Sequence, residues 1–360
     1  MQMRSQKLRE AREDSAILDC RGPENAGMFI REDIEKREME TLSPNATLSA
    51  KSRGRAEEEP QCDFRTVFQR DRDRIIHSKA FRRLMHKTQV FLSPEGDHFR
   101  TRLTHTLEVT QVARSISRAL GLNEDLTEAI ALGHDLGHTP FGHNGEKILN
   151  EIHPGGFRHN EQSLRVVERL EHHNGKRGMN LTFEVRDGIL NHPGDLKAAT
   201  PEGLVVKISD RIAYINHDID DAIRSGVICQ SDLPERPIEL FGAAHGYRIS
   251  NMIENVIRHS DLTGDIGMDE EHQEQLMVLR SFMFEHVYQS ESVKREEELE
   301  HIGVVIRSLY SHYIECPDDL PDDLLEIARE DGVSTAAKDC VAGMTDRYAL
   351  TKYTEYFGRE

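Results

Sequence analysis

The sequence has no tryptophan, and aromatic residues make up only 6% of it. A chain so poor in large rings must build its core from aliphatic side chains. Its 360 residues are enough for a sizeable one. The five cysteines (Cys20, Cys62, Cys229, Cys316 and Cys340) are scattered, odd in number and never form a CxxC pair. That excludes a zinc knuckle and a disulfide frame and points to reduced thiols in a cytoplasmic protein. No apolar run approaches the roughly 20 residues that span a bilayer, so no membrane association is expected. The opening MQMRSQKLRE has no apolar stretch behind its charges and is not a secretory signal. A net positive charge is lacking too: the formal charge is −18. This gives no support to a nucleic-acid partner, which needs a basic face to displace counterions, and leaves that question open. A small polyanion is still compatible, provided basic side chains gather locally.

They do gather. RDRDRIIHSKAFRRLMHK, from Arg70 to Lys87, holds seven Lys or Arg against only Asp71 and Asp73. The plain reading is a solvated helix face; the functional one is a subunit contact or a regulatory site.

Charged residues make up 31% of the chain, and what remains is patterned for helices. In HTLEVTQVARSISRALG, Leu107, Val109, Val112, Ala113, Ile116 and Leu120 recur at helical spacing, with Gly121 as a stop. Asn123 caps NEDLTEAIALGHD. EQSLRVVERLEHH, LTFEVRDGILNH, LMVLRSFMFEHVY and EELEHIGVVIRSLYSHYI read as further helices. LVVKISDRIAYINHDIDDAIRSG is a long one with an isoleucine stripe. The acidic IECPDDLPDDLLEIAREDG reads as a surface loop leading into a short helix. No alternating strand pattern and no fixed-period repeat is found. The expected class is all-α, a helical core with peripheral helices. The expected organisation is a partly mobile extension over 1–60, a catalytic core over 61–230 and a C-terminal helical part over 231–360, packed together as one structural unit.

The densest chemistry lies in HDLGHTPFGH, residues 134–143, where four of ten positions are His134, Asp135, His138 and His143. Glycines and a proline interrupt it, so it is no plain amphipathic helix. A lone histidine among 19 is ordinarily a structural residue. An adjacent His-Asp pair closing an apolar helix is different, because burying both without a partner costs several kcal/mol. Partners are available: His105 at the start of the preceding helix and Asp210 on the long one. His and Asp without Cys favour Mg, Mn or Fe, with Ni or Co as further choices, over structural Zn.

These residues are similar to the H…HD…D signature of HD-domain phosphohydrolases. QRDRDRIIHSKAFRRLMHKTQVF, HFRTRLTHTLEV, ALGHDLGHTPFGHNGE, KISDRIAYINHDIDDAIRSG and the late MTDRYAL resemble, more closely, the deoxyguanosinetriphosphate triphosphohydrolase-like (dNTPase) family, from about residue 38 to the C-terminus. The resemblance implies an HD-domain helical fold, a divalent metal and hydrolysis of a dNTP to deoxynucleoside and inorganic triphosphate. It implies His105, His134, Asp135 and Asp210 as metal ligands. Arg102 matches a phosphate-contacting arginine. His138 and His143 match histidines facing the phosphates, Glu146 the acid paired with the second of them, and His159 a further active-site histidine. Arg211, Tyr214 and Asp218 match a basic, an aromatic and an acidic residue around phosphates and sugar. Arg280 and Tyr288 share the spacing of a base- and sugar-side pair. Asp210, Tyr214 and Asp218 are four residues apart, which puts them on one helix face.

On this reading Arg102, Arg211 and the ion neutralise phosphate charge, and His143 held by Glu146 moves a proton, as acid or as base. Tyr214 or Tyr288 would exclude a 2′-hydroxyl. The family also implies a homo-oligomer and, in some members, a dNTP activator. The alternatives are another HD phosphohydrolase, either a 5′-deoxynucleotidase or a cyclic-nucleotide phosphodiesterase, and a non-enzymatic nucleotide sensor. The preferred base, native metal and oligomer size are not readable.

Overall fold

A computed structural model describes residues 29–89, 100–288 and 296–358. Sixteen α-helices and one two-stranded hairpin make up its regular structure among the described residues, apart from short 3₁₀ and wider-turn stretches. The chain is all-α, as its periodicity implies.

The central element is α9, Pro201–Arg224, 24 residues long. Thr200 caps it by accepting from the Gly203 N–H at 3.1 Å, and Pro201 stands at its first position, where no N–H is needed. Its Val205, Ile208, Ile212, Ile215 and Ile219 are all buried. Around it pack α4 (Arg102–Ala119), α5 (Glu124–Gly133), α8 (Phe183–Asn191), α11 (His245–Thr263) and α12 (Glu270–Met283). Thr101 caps α4 and Asn123 caps α5. With α2 (Val67–Ile76) these helices enclose an aliphatic core that needs few rings, including Ile75, Val109, Ile116, Leu126, Ile130 and Ile189.

A second core lies beside it. There α6 (Gly142–Ile152), α13 (Glu296–Glu315), α14 (Asp322–Asp331), α15 (Val333–Ala342) and α16 (Asp346–Phe357) bury Leu149, Val305, Leu309, Tyr313, Ile327, Val341 and Ala349. The acidic segment after Cys316 is thus a single 3₁₀ turn followed by α14, whose Ile327 faces that core.

Residues 1–28 of the N-terminal extension lie outside the described residues. The rest carries α1 (Arg31–Thr41) and is tied down by buried acids. Glu38 accepts from Ser49 N and Oγ, both at 2.7 Å. Glu202 accepts from Thr47 N at 2.9 Å, Thr47 Oγ1 at 2.7 Å and Asn123 N at 3.0 Å. Glu184 accepts from Ser52 Oγ and Arg53 N.

The helix expected over EQSLRVVERLEHH does not run to its end. It is α7 (His159–Arg165) followed by a wider turn over Val166–Leu170. Then His172–His173 (β1) pairs antiparallel with Lys176–Arg177 (β2). Asn174 and Gly175 between them adopt φ of 52° and 77°, the left-handed pair that closes a two-residue hairpin. The Asn-Gly dipeptide overrides the helical pattern before it.

Candidate metal centre and phosphate cradle

His134 directly follows α5 as its C-terminal cap, and Asp135 comes next in a tight turn. The His134 Nδ1 lies 2.7 Å from the Ala131 carbonyl, which can only accept, so Nδ1 carries a proton and the neutral ring presents its lone pair on Nε2. That Nε2 is buried without a hydrogen-bond partner. It sits 3.5 Å from Asp135 Oδ1 and 3.9 Å from Asp210 Oδ1. His105, one turn into α4, brings Nε2 to 3.1 Å from Asp210 Oδ1 and 3.9 Å from Asp135 Oδ2. Three segments therefore converge two imidazoles and two carboxylates. His105, His134 and Asp210 have ligand atoms within 4.8 Å of one another. Two imidazoles and two carboxylates, with the buried His134 Nε2 unpartnered, form a donor set that suits a divalent cation. Burial disfavours the charged form of Asp135, but the adjacent His134 imidazole and the Arg102 guanidinium hold it well below the usual carboxylate range. The hydrogen bond with His105, with the His134 imidazole beside it, outweighs desolvation and does the same for half-buried Asp210.

Arg102 is buried; its Nη1 donates to Asp135 Oδ2 at 2.9 Å, and the same guanidinium reaches the carbonyls of Thr88 and Gln89. Its charge stands beside the centre, and it also fixes the orientation of Asp135.

A histidine cluster adjoins this set. Glu146, on α6, is shared: Oε2 lies 3.2 Å from His143 Nδ1 and Oε1 2.9 Å from His159 Nδ1. Burial works against its charge, but those two bonds hold Glu146 far below the normal range. Burial likewise disfavours charged His159, and the bond to Glu146 outweighs it, leaving that pKa raised. His138 stacks on His159 at 4.9 Å, and both its ring nitrogens are buried without a partner. His143 is the exposed member, 68% accessible.

The loop between Asp135 and α6 is set by close packing. A Cβ on Gly137 would lie 2.2 Å from Ser163 N, so only glycine lets the loop meet α7. Phe141 has φ of 60°, a left-handed turn from which α6 starts. Asp346, in MTDRYAL, holds it there: Oδ1 accepts from Phe141 N at 2.9 Å and Oδ2 from Thr88 N at 2.9 Å. The C-terminal motif thus positions the loop between Asp135 and α6.

Further along α9, Tyr214 and Asp218 meet the other sugar-side candidates. Arg280 Nε lies 3.2 Å from the Tyr214 hydroxyl, and the Tyr288 hydroxyl donates to Asp218. Burial pushes the Asp218 carboxyl up to about 7, against the Tyr288 hydrogen bond. Arg211 is half-buried and makes no hydrogen bond or ion pair among the described residues.

The basic run separates into roles. Arg70 and Arg74 pair with Glu59, and Arg72 with Asp73, Asp125 and Glu128. Buried Lys87 donates to the carbonyls of His138 and Ala342. Lys79, Arg83 and Lys87 line a cavity of about 570 Å³ that lies behind the loop rather than at the His-Asp centre.

With this geometry in view, likeness to known proteins is informative. The HD domain model matches residues 102–215, and the phosphohydrolase-associated domain matches 266–355. A deoxyguanosinetriphosphate triphosphohydrolase-like protein of Caldanaerobacter subterraneus subsp. tengcongensis is 58% identical over 330 residues, covering 92% of this chain and 96% of its own. A protein of the same description from Desulfatibacillum aliphaticivorans is 47% identical, over 92% and 98%. The chain belongs to the deoxyguanosinetriphosphate triphosphohydrolase-like family. This supports a phosphohydrolase acting on nucleotides, of an HD class that depends on metal. No described helix is long and apolar enough to cross a membrane.

Sequence reasoning missed His192. It directly follows α8, is buried, and its Nε2 lies 3.2 Å from His159 Nε2. The signal was available: GILNH, like IALGH, is an apolar helix closing on a histidine. It also missed buried His217, whose ring centroid is 6.1 Å from that of His105.

Proposed function

We propose that the chain hydrolyses deoxynucleoside triphosphates to deoxynucleoside and inorganic triphosphate, with His105, His134, Asp135 and Asp210 holding a divalent ion. The observation that carries this is the orphaned, buried His134 Nε2 facing the carboxylates of Asp135 and Asp210 beside the Arg102 guanidinium. The relatives' names give the substrate class.

When bound, such an ion supplies Lewis acidity toward phosphate and acidifies water. In the reaction, water oxygen bonds to the α-phosphorus, the bond from phosphorus to the 5′ oxygen breaks, and that oxygen takes a proton. His143 is placed to move this proton: its Nδ1 faces Glu146, and the ring is otherwise exposed and open to a bound substrate. His138 and Arg211 offer charge and hydrogen bonds to the phosphates. Two hydrogen-bonded pairs, Tyr214 with Arg280 and Asp218 with Tyr288, serve the sugar and base, with a tyrosine ring against C2′.

The test is incubation with each dNTP plus Mg or Mn, with free triphosphate read by ion chromatography. Triphosphate release is expected, and a His143→Ala chain should bind nucleotide yet turn over about 10²- to 10⁴-fold more slowly. Release of orthophosphate from a deoxynucleoside monophosphate alone would favour the 5′-nucleotidase reading. Binding without turnover would favour a sensor.

A further inference from the structure

A donor set of different chemistry lies in the second core, at the end of α13, where residues 312–319 read HYIECPDD. His312 stands in the last turn of that helix. Cys316 keeps the helical path, since its N–H donates to the His312 carbonyl at 2.7 Å. Residues four apart in that geometry share one face. The chain then turns through Pro317–Asp319, and Asp319 comes back to the same place. Its Oδ2 lies 2.7 Å from His312 Nε2. One imidazole nitrogen, the Cys316 sulfur and one Asp319 oxygen all lie within 4.8 Å of one another.

Three features set this apart from a surface ion pair. The third donor is a thiol, which adds nothing to a histidine-aspartate pair but is a strong metal ligand once deprotonated. The His312 ring is held in place: it stacks on Tyr356 of α16 with centroids 3.9 Å apart and meets Tyr313 edge-on at 5.5 Å. The local field also favours a cation. Residues 312–319 hold Glu315, Asp318 and Asp319 and no Lys or Arg, at a helix C-terminus whose carbonyls carry partial negative charge. Cys316 and Asp319 are exposed, which gives an ion a way in and leaves a fourth position to water.

We propose that His312, Cys316 and Asp319 form a separate metal site for a thiophilic divalent ion. A single cysteine makes no zinc knuckle, but one sulfur, one nitrogen and one oxygen suit Zn or Co and disfavour Mg and Mn. On binding, the Cys316 thiol gives its proton to solvent as the sulfur bonds the ion, so affinity rises with pH. The ion ties the end of α13 to the turn that leads into α14. Asp319 and Leu320 line the cavity of about 570 Å³, so that wall is fixed with it. The site shares no residue with the His-Asp centre and stands or falls independently of it.

The experiment uses the full chain, reduced with a phosphine, stripped with chelator and titrated with Co²⁺. The His-Asp centre holds no sulfur, so a thiolate-to-cobalt charge-transfer band in the near ultraviolet reports a cysteine ligand alone. The band is expected, and Zn²⁺ should displace it. Cys316→Ser should abolish it. Asp319→Asn should weaken the affinity read from it by more than the roughly 10-fold that losing an outer partner costs. No band, or a band that survives in Cys316→Ser, overturns the assignment. Alkylation of the unaltered chain decides even where a variant fails to fold. Zn²⁺ should slow the reaction of Cys316 with iodoacetamide, read by peptide mass spectrometry, and leave that of exposed Cys229 unchanged. An unchanged rate at Cys316 overturns the site, and equal slowing at both cysteines marks adventitious thiol binding and overturns it too.

Discussion

Asp218 shows how a single side chain couples the site to pH. Its carboxyl is raised from 3.8 to about 7 by burial. Between those values the unfolded chain has lost a proton that the folded chain keeps. The folded state binds more protons there, so the stabilising contribution is full below 3.8 and is lost as pH rises toward 7. The metal-free protein should therefore lose stability from this group across that window. Asp218→Asn should flatten that part of the curve, with slopes differing by at most about 1.4 kcal/mol per pH unit. Thermal unfolding of both proteins from pH 4 to 8 measures it; parallel curves would show that Asp218 titrates normally.

Among elements, the loop between α5 and α6 is fixed from both sides. Gly137 N donates to Ser163 Oγ at 2.9 Å, and that hydroxyl donates to the His134 carbonyl at 2.7 Å. This is why the loop lies flat on α7 and why Gly137 has no room for a Cβ. The obstacle is backbone, which cannot swing aside. Gly137→Ala should cost about 1–3 kcal/mol, as overpacked positions do, and should weaken Mn²⁺ binding by displacing His134 and Asp135. Urea unfolding and a Mn²⁺ titration read the two effects. An unchanged urea midpoint would mean that α7 can shift without cost.

Across the molecule, the proposed ligands join α4, the end of α5 and the middle of α9, which share one core. An ion bound there is bound only by the folded chain, so its affinity adds to stability. At 100 times the dissociation constant that is about 2.7 kcal/mol. Chelator should lower the unfolding temperature, and Mn²⁺ should restore it in a concentration-dependent way. A melting temperature indifferent to chelator and Mn²⁺ would separate the centre from any metal. The second core acts on the same site through Asp346, whose carboxylate reaches from α16 to Phe141 and Thr88.

Much of this was written in local pattern. Helical spacing gave the all-α class, because a repeat near 3.6 residues depends only on neighbours along the chain. The HD run and its resemblance to a known family pointed to His105, His134, Asp135 and Asp210, which the fold does bring together. Asn174-Gly175 marked a hairpin, but the helical pattern before it hid the signal. Other features had no local trace. His192 looks like any histidine at a helix end until α8 lies beside α7 and its Nε2 meets that of His159. Asp346 is 205 residues from the Phe141 amide it holds. Lys87 becomes a buried donor only where the His138 and Ala342 carbonyls converge on it. The sequence alone determined the all-α class and most of the helical segments and singled out candidate side chains for chemistry, since both rest on residue type and short-range spacing. Tertiary structure alone decided which imidazoles and carboxylates face one another, because that depends on how separate helices pack.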